Sequence, residues 1–160
     1  MKKAKNFLIP GLLLFLITIN MIYVLHEKTD QPKQKEDMSE QEKAEQYAEK
    51  MKPKIEEKLK KQDIHHFIKT ITFEDNIEIN PMGRIIVSGY VNNNPEKFDF
   101  TADLIYGSNK VDTMGYSQEL GDRFTDWSEY TEKEKEEYIK TAYPDKKERE
   151  QYLKDIGEKE

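Results

Sequence analysis

An unbroken apolar run near the start of the chain, Phe7–Leu25 (FLIPGLLLFLITINMIYVL), constrains this sequence more than any other feature. A helix of that length can cross a bilayer core of roughly 30 Å. Lys2, Lys3 and Lys5 precede it, and positive residues beside a span are held on the cytoplasmic side. The expected order is a cytoplasmic tail (1–6), a transmembrane anchor (7–25) and a polar linker (26–38) rich in charge and carrying Pro32. The protein is then single-pass in the cell membrane, its N-terminus cytoplasmic and residues 26–160 extracytoplasmic. A cleaved signal peptide is the competing reading. The region Asn20–Tyr23 lacks a small-x-small cleavage pattern, and Pro10-Gly11 would only kink the helix.

Beyond His26 the chain is heavily charged. The whole chain carries 32 acidic and 26 basic residues, a net charge of −6. An acidic exterior disfavours nucleic acid and anionic lipid as general partners, and no basic patch interleaved with aromatics appears. Cysteine is absent, which removes disulfides, thiolate metal sites, a thiol nucleophile and a lipid-bearing cysteine together.

The hydrophobic period divides the remainder. Ser39 with Glu42 forms a capping box, and Ala44, Tyr47, Ala48, Met51, Ile55 and Leu59 recur at spacings of three and four, predicting a helix. Pro53 predicts a kink or two abutting segments. From His66 the period becomes two. Strands are expected over Ile68–Phe73, extending towards Ile79, then Arg84–Val91, Lys97–Tyr106 and a weaker Val111–Tyr116. Turns at Asn80–Gly83, Asn92–Pro95 and Gly107–Asn109 separate them. Gly89 inside the second strand signals a bulge or a close approach. Thr131/Glu134 and Asp145/Glu148 open two short helices. The expected architecture is α+β: an N-terminal transmembrane helix, then a helix packed on a four-stranded antiparallel meander (39–127), then a charged, loosely attached helical tail (128–160).

Chemistry is sparse. His65 and His66, on an extended backbone, point to opposite faces and cannot hold one ion without a turn. Ser88 lacks a nucleophile elbow. Asp99 and Asp103 share a strand face with Thr101; they suit acid–base or calcium chemistry, but simple alternation also explains them as solvent-side residues. No cofactor or metal is expected, and the chain reads as a non-enzyme. Tyr90, Tyr106, Tyr116, Trp127 and Tyr130 are the candidate protein-binding residues, expected to gather at one end of the sheet. The competing reading is that they cap a small core.

The phrases IKTITF (Ile68–Phe73), NPMG (Asn80–Gly83), GYVNNN (Gly89–Asn94), KFDFTADL (Lys97–Leu104) and SQELGDRF (Ser117–Phe124) occur in that order. With them the chain resembles a domain-of-unknown-function family of short membrane-anchored or lipidated proteins from Gram-positive bacteria. The resemblance implies surface anchoring, here by the apolar helix in place of a lipidated cysteine. It transfers no catalytic or binding residue. By analogy with other small anchored domains, a toxin-immunity factor is one version of a protein-binding role, with a secreted toxin as partner. An accessory subunit of an envelope or membrane complex is the alternative, with Thr18 and Asn20 seeking a neighbouring helix. An envelope enzyme using Asp99, Asp103 or a histidine is the least favoured reading.

Overall fold

Ser39 caps the first described helix, as its pairing with Glu42 predicts. Its side chain accepts from the Glu42 amide while the Glu42 carboxylate accepts from the Ser39 amide. The computed structural model describes residues 38–159. The expected tail, anchor and residues 26–37 of the linker lie outside the described residues. Among the described helices, none is long and apolar enough to cross a membrane.

Helix α1 (Glu40–Gln62) is followed by strands β1 (Ile71–Ile79), β2 (Ile85–Val91), β3 (Asp99–Leu104) and β4 (Val111–Tyr116). These strands form one antiparallel sheet in the order β1-β2-β3-β4. A short helix α2 (Gln118–Asp122), a 3-10 turn (Trp127–Glu129), and helices α3 (Glu132–Ala142) and α4 (Lys146–Asp155) complete the chain. The α+β meander with short C-terminal helices is therefore as the periodicity predicts.

Pro53 does not divide α1, which runs through it as one helix. The ring lies on the exposed face, where water can reach the carbonyl it leaves unbonded. Buried residues before and after it (Ala44, Tyr47, Ala48, Met51, Ile55, Leu59) clamp both halves onto the sheet. Packing outweighs the lost hydrogen bond and ring crowding of an interior proline, together about 3 kcal/mol.

Alternation on β2 and β3 places Ile85, Val87, Val91, Phe100, Ala102 and Leu104 against α1. The opposite face carries Ser88, Tyr90, Asp99, Thr101 and Asp103. Expected β3 residue Tyr106 falls beyond the strand and is exposed. Gly89 is the close approach its position signalled: an added Cβ would lie 2.4 Å from the Thr72 carbonyl oxygen and 2.6 Å from the Phe100 ring. The bulge sits instead on β1, between Phe73 and Ile77, across from Gly89 and Val87.

The C-terminal helices depart from the loosely attached tail predicted for 128–160. Trp127, Ile139, Tyr143, Tyr152 and Ile156 form a second buried cluster, with Ala142 and Leu153 packed against it. Residues 38–159 belong to one compact unit. The stripes are thin in sequence because polar bonds from the 117–127 segment supply much of the hold. Substituting Gly89→Ala is expected to lower the unfolding free energy by about 2–3 kcal/mol, since neither the Thr72 backbone nor the Phe100 ring can move without disturbing the core; urea titration checks this.

Candidate functional site: a polar cleft

Two side chains shape the end of the sheet opposite the β1–β2 turn. Asp63, just past α1, is buried, and its two carboxylate oxygens accept from the Phe67 and Ile68 amides, each at 2.8 Å. Asn92, at φ 53°, accepts from the Lys69 amide at 2.7 Å and the Thr70 amide at 3.2 Å, and donates to the Phe67 carbonyl at 2.9 Å. Asp63 thus fixes the helix-to-strand junction, and Asn92 fixes that junction to the β2–β3 turn. The junction is a turn, with His66 at φ 56°, so the expected extended backbone is replaced and both His65 and His66 line one cleft.

That cleft, of about 890 Å³, lies between the junction and the β2–β3 turn on one side and α2, the end of α3 and α4 on the other. Arg123 forms its floor. The guanidinium is buried over the Phe67 ring at 4.9 Å and the Phe98 ring at 4.6 Å, with Tyr152 at 5.5 Å. It donates to Asp155 at 2.9 and 2.7 Å and to the Glu119 carbonyl at 2.6 Å. Lys97 closes one rim by pairing with Glu148 at 2.7 Å, and that partner raises its pKa. This cross-contact explains why Asp145 caps α4 through the Lys147 and Glu148 amides without the reciprocal bond of the expected capping box. Asn93, Glu119 and Lys154 also line the cleft.

Behind the floor, Asp122 anchors the tail helices. Its carboxylate accepts from the hydroxyls of Tyr138 at 2.5 Å and Tyr143 at 2.7 Å, and its carbonyl accepts from Tyr152 at 3.1 Å. Trp127 Nε1 donates to the Tyr152 hydroxyl at 2.9 Å. Tyr143 and Tyr152 stack with ring centres 4.5 Å apart.

Chemically, the cleft is built to hold a ligand by polar contacts. His65 Nε2 faces the Thr125 carbonyl at 3.0 Å and therefore donates to it. Asp63, Asp122 and Asp155 are each engaged by amides, tyrosines or Arg123. Among the described residues, no group of three or more histidine, aspartate or glutamate side chains gathers to hold a metal. Asp99 and Asp103 lie on the open face of the sheet, opposite Tyr90 and Ile86 respectively.

The five aromatic residues singled out by sequence are not gathered into one cluster. Tyr116, paired with the inward-facing Phe100, is half-buried, packs on Phe124 and donates to Gln62. Tyr90 lies on the outer face. Tyr106 packs at a tilt against Tyr47, ring centres 5.0 Å apart, past the far end of β3. Trp127 is buried in the second cluster, with Tyr130 5.2 Å away; these two alone are brought into contact. None of the five lines the cleft. Sequence reasoning passed over Asp63, Asn92, Asp122 and Arg123, whose only outward signal is a charged or amide side chain adjoining a turn or a short helix.

Replacing Asp122→Ala is expected to cost roughly 2–4 kcal/mol, because it strands two phenol donors that now bond a charged acceptor. Amide hydrogen exchange should accelerate in α3 and α4 while the sheet stays protected. Burial, reinforced by Asp122, also pushes Tyr138 up to about 12 and Tyr143 higher still; burial pushes Tyr152 up to about 12. Raised folded-state values mean that native tyrosines keep protons which unfolded ones lose. Their stabilisation is complete below pH about 10 and is lost as the pH rises towards 12. Absorbance at 295 nm and circular dichroism followed together should show these tyrosines ionising with the loss of α3 and α4.

No curated protein and no solved structure matches the chain. A family model matches residues 47–140, from the first buried tyrosine of α1 through the sheet, Asp122 and Arg123 into α3, with α4 beyond the matched span. The chain belongs to that family, described as a protein of unknown function (DUF1433).

Proposed function

We propose that this protein is a membrane-anchored, extracytoplasmic domain that binds another protein without catalysing a reaction, and that the cleft beside Arg123 is where the partner docks. The anchor is the Phe7–Leu25 run with its preceding lysines. The observation that carries the binding reading is a rigid floor beneath an uncommitted rim. Arg123 is locked by Asp155, Glu119 and three aromatic rings. Around it stand Asn93, Glu119 and Lys154, whose side chains have no hydrogen-bonding or ionic partner among the described residues. Three of the four non-glycine residues at positive φ, His66, Asn92 and Asn93, lie on the same rim. For His66 such a conformation costs on the order of 1–2 kcal/mol, whereas asparagine tolerates it in a turn; these conformations concentrate at ligand-contacting sites. A preformed polar surface loses little entropy on binding.

Within this class, neutralisation of a secreted toxin is the specific version. A tethered domain would stand where a toxin arriving from outside must pass, and its net acidity suits a basic partner. An accessory role in an envelope complex is the second reading, favoured by Thr18 and Asn20 in the apolar run.

Capture of full-length protein from detergent-solubilised membranes tests both readings. A stoichiometric partner is expected with the native chain, lost with Asn93→Arg combined with Lys154→Glu, and kept with Ser88→Lys on the open sheet face. Retention by the cleft variant would reject the cleft as the docking site. Exchanging residues 1–25 for an unrelated anchor should leave capture unchanged under the first reading and abolish it under the second. If the partner is a toxin, cells lacking the gene should be sensitised to it.

A further inference from the structure

At the end of the sheet opposite the cleft, the exposed residues change character. Ile79, Met82, Ile105 and Tyr106 are 38%, 80%, 44% and 59% exposed. Strand register brings them together: Ile79 pairs with Ile85, and Ile85 with Leu104, so the β1–β2 turn lies beside the start of the β3–β4 turn. The two segments, Ile79–Gly83 (INPMG) and Ile105–Asn109 (IYGSN), contain no charged residue in a chain that is 36% charged.

The turn that presents Met82 is also rigid. Asn80 Oδ1 accepts from the Met82 amide at 2.9 Å and the Arg84 amide at 3.0 Å, and the Gly83 amide donates to the Asn80 carbonyl at 2.8 Å. Tyr106 is held against Tyr47, whose hydroxyl accepts from the Asn109 amide at 2.8 Å. An uncharged, preformed apolar tip loses few hydration bonds when it leaves water.

The start of the described chain adjoins this tip. Gln41, in the first turn of α1, donates to the Ile77 carbonyl at 2.9 Å, so α1 begins at the tip end and finishes at the cleft end, about 35 Å away. Met38 precedes that first turn, and residues 26–37 alone separate it from the apolar run ending at Leu25. Even fully extended, that stretch spans no more than about 45 Å. Resting on the anchored reading above, we infer that the tip formed by Ile79, Met82, Ile105 and Tyr106 seats in the interfacial layer of the bilayer that holds the anchor. Zwitterionic lipid is the matching surface, because the two segments themselves carry no charge, the flanking Lys54 and Arg84 are engaged by the Asn109 carbonyl and by Asp112, and tyrosine beside aliphatic side chains suits the interfacial layer.

The chain has no cysteine, so one introduced thiol reports one place. Full-length Met82→Cys, labelled with the environment-sensitive fluorophore NBD, is reconstituted in phosphatidylcholine vesicles, with Asn93→Cys as the cleft-end reference. The protein is expected to float with the vesicles. The label at 82 should emit further to the blue and be quenched several-fold more by lipid-borne nitroxide than the label at 93. A water-like, unquenched label at 82 in floating vesicles overturns the tip contact and leaves the anchored reading standing. Equal quenching at both positions overturns it as well. A blue-shifted label that lipid nitroxide cannot quench, with energy transfer between labels, assigns the tip to a second copy and overturns the lipid contact. Protein that fails to float overturns the anchored reading and this inference with it.

Discussion

The buried guanidinium of Arg123 is the interaction on which the arrangement of this domain turns. It lies over Phe67 and Phe98 of the main core and near Tyr152 of the second cluster, with Asp155 of α4 as its counter-charge. Detaching α4 would leave a cation against apolar rings without its partner, a state disfavoured by several kcal/mol. The tail helices are therefore held less by apolar area, which is modest, than by a charge that needs them. Asp122, the preceding residue, works in the opposite sense: its carboxylate needs Tyr138 and Tyr143. Two adjacent residues of opposite charge thus address α3 and α4.

This pairing gives the cleft its character. Its floor is a neutralised ion pair whose members are already satisfied, and its walls are set by Asp63 and Asn92 through bonds to backbone amides. Such a surface has little freedom to lose when it meets a partner. The two ends of the meander differ in kind. One end carries the two histidines and unpaired polar groups; the other carries an apolar tip on two segments without charge. In an antiparallel meander the β2–β3 turn must lie opposite the β1–β2 and β3–β4 turns, so topology alone keeps these surfaces apart.

Much of the fold was legible in the residues. The stripe from Ala44 to Leu59, the alternation from Phe98 to Leu104 and the turn chemistry of Asn80–Gly83 each act locally, and local patterns survive in sequence. Pro53 does not split the helix into two segments because its cost, about 3 kcal/mol, is local, whereas the packing that offsets it comes from strands lying further along the chain. The aromatic set misled for a related reason. Tyr90 and Tyr116 differ in face, Tyr106 lies past a strand end, and Trp127 is buried, none of which is visible before strand register is known. The site went unseen because Asp63, Asn92 and Arg123 resemble ordinary surface residues until the elements they join are brought together.

By itself, the sequence determined a nineteen-residue apolar segment near the start, a chain without thiol chemistry, and a helix followed by a four-stranded meander; hydrophobic periodicity and turn residues operate over neighbours a few positions apart. Only the tertiary structure decided that residues 128–159 close against the domain, that His65 and His66 share a cleft, and that the exposed apolar residues meet at the opposite end. Those outcomes depend on contacts such as Arg123–Asp155 and Lys97–Glu148, between residues 32 and 51 positions apart, for which the order of amino acids carries no periodic signal.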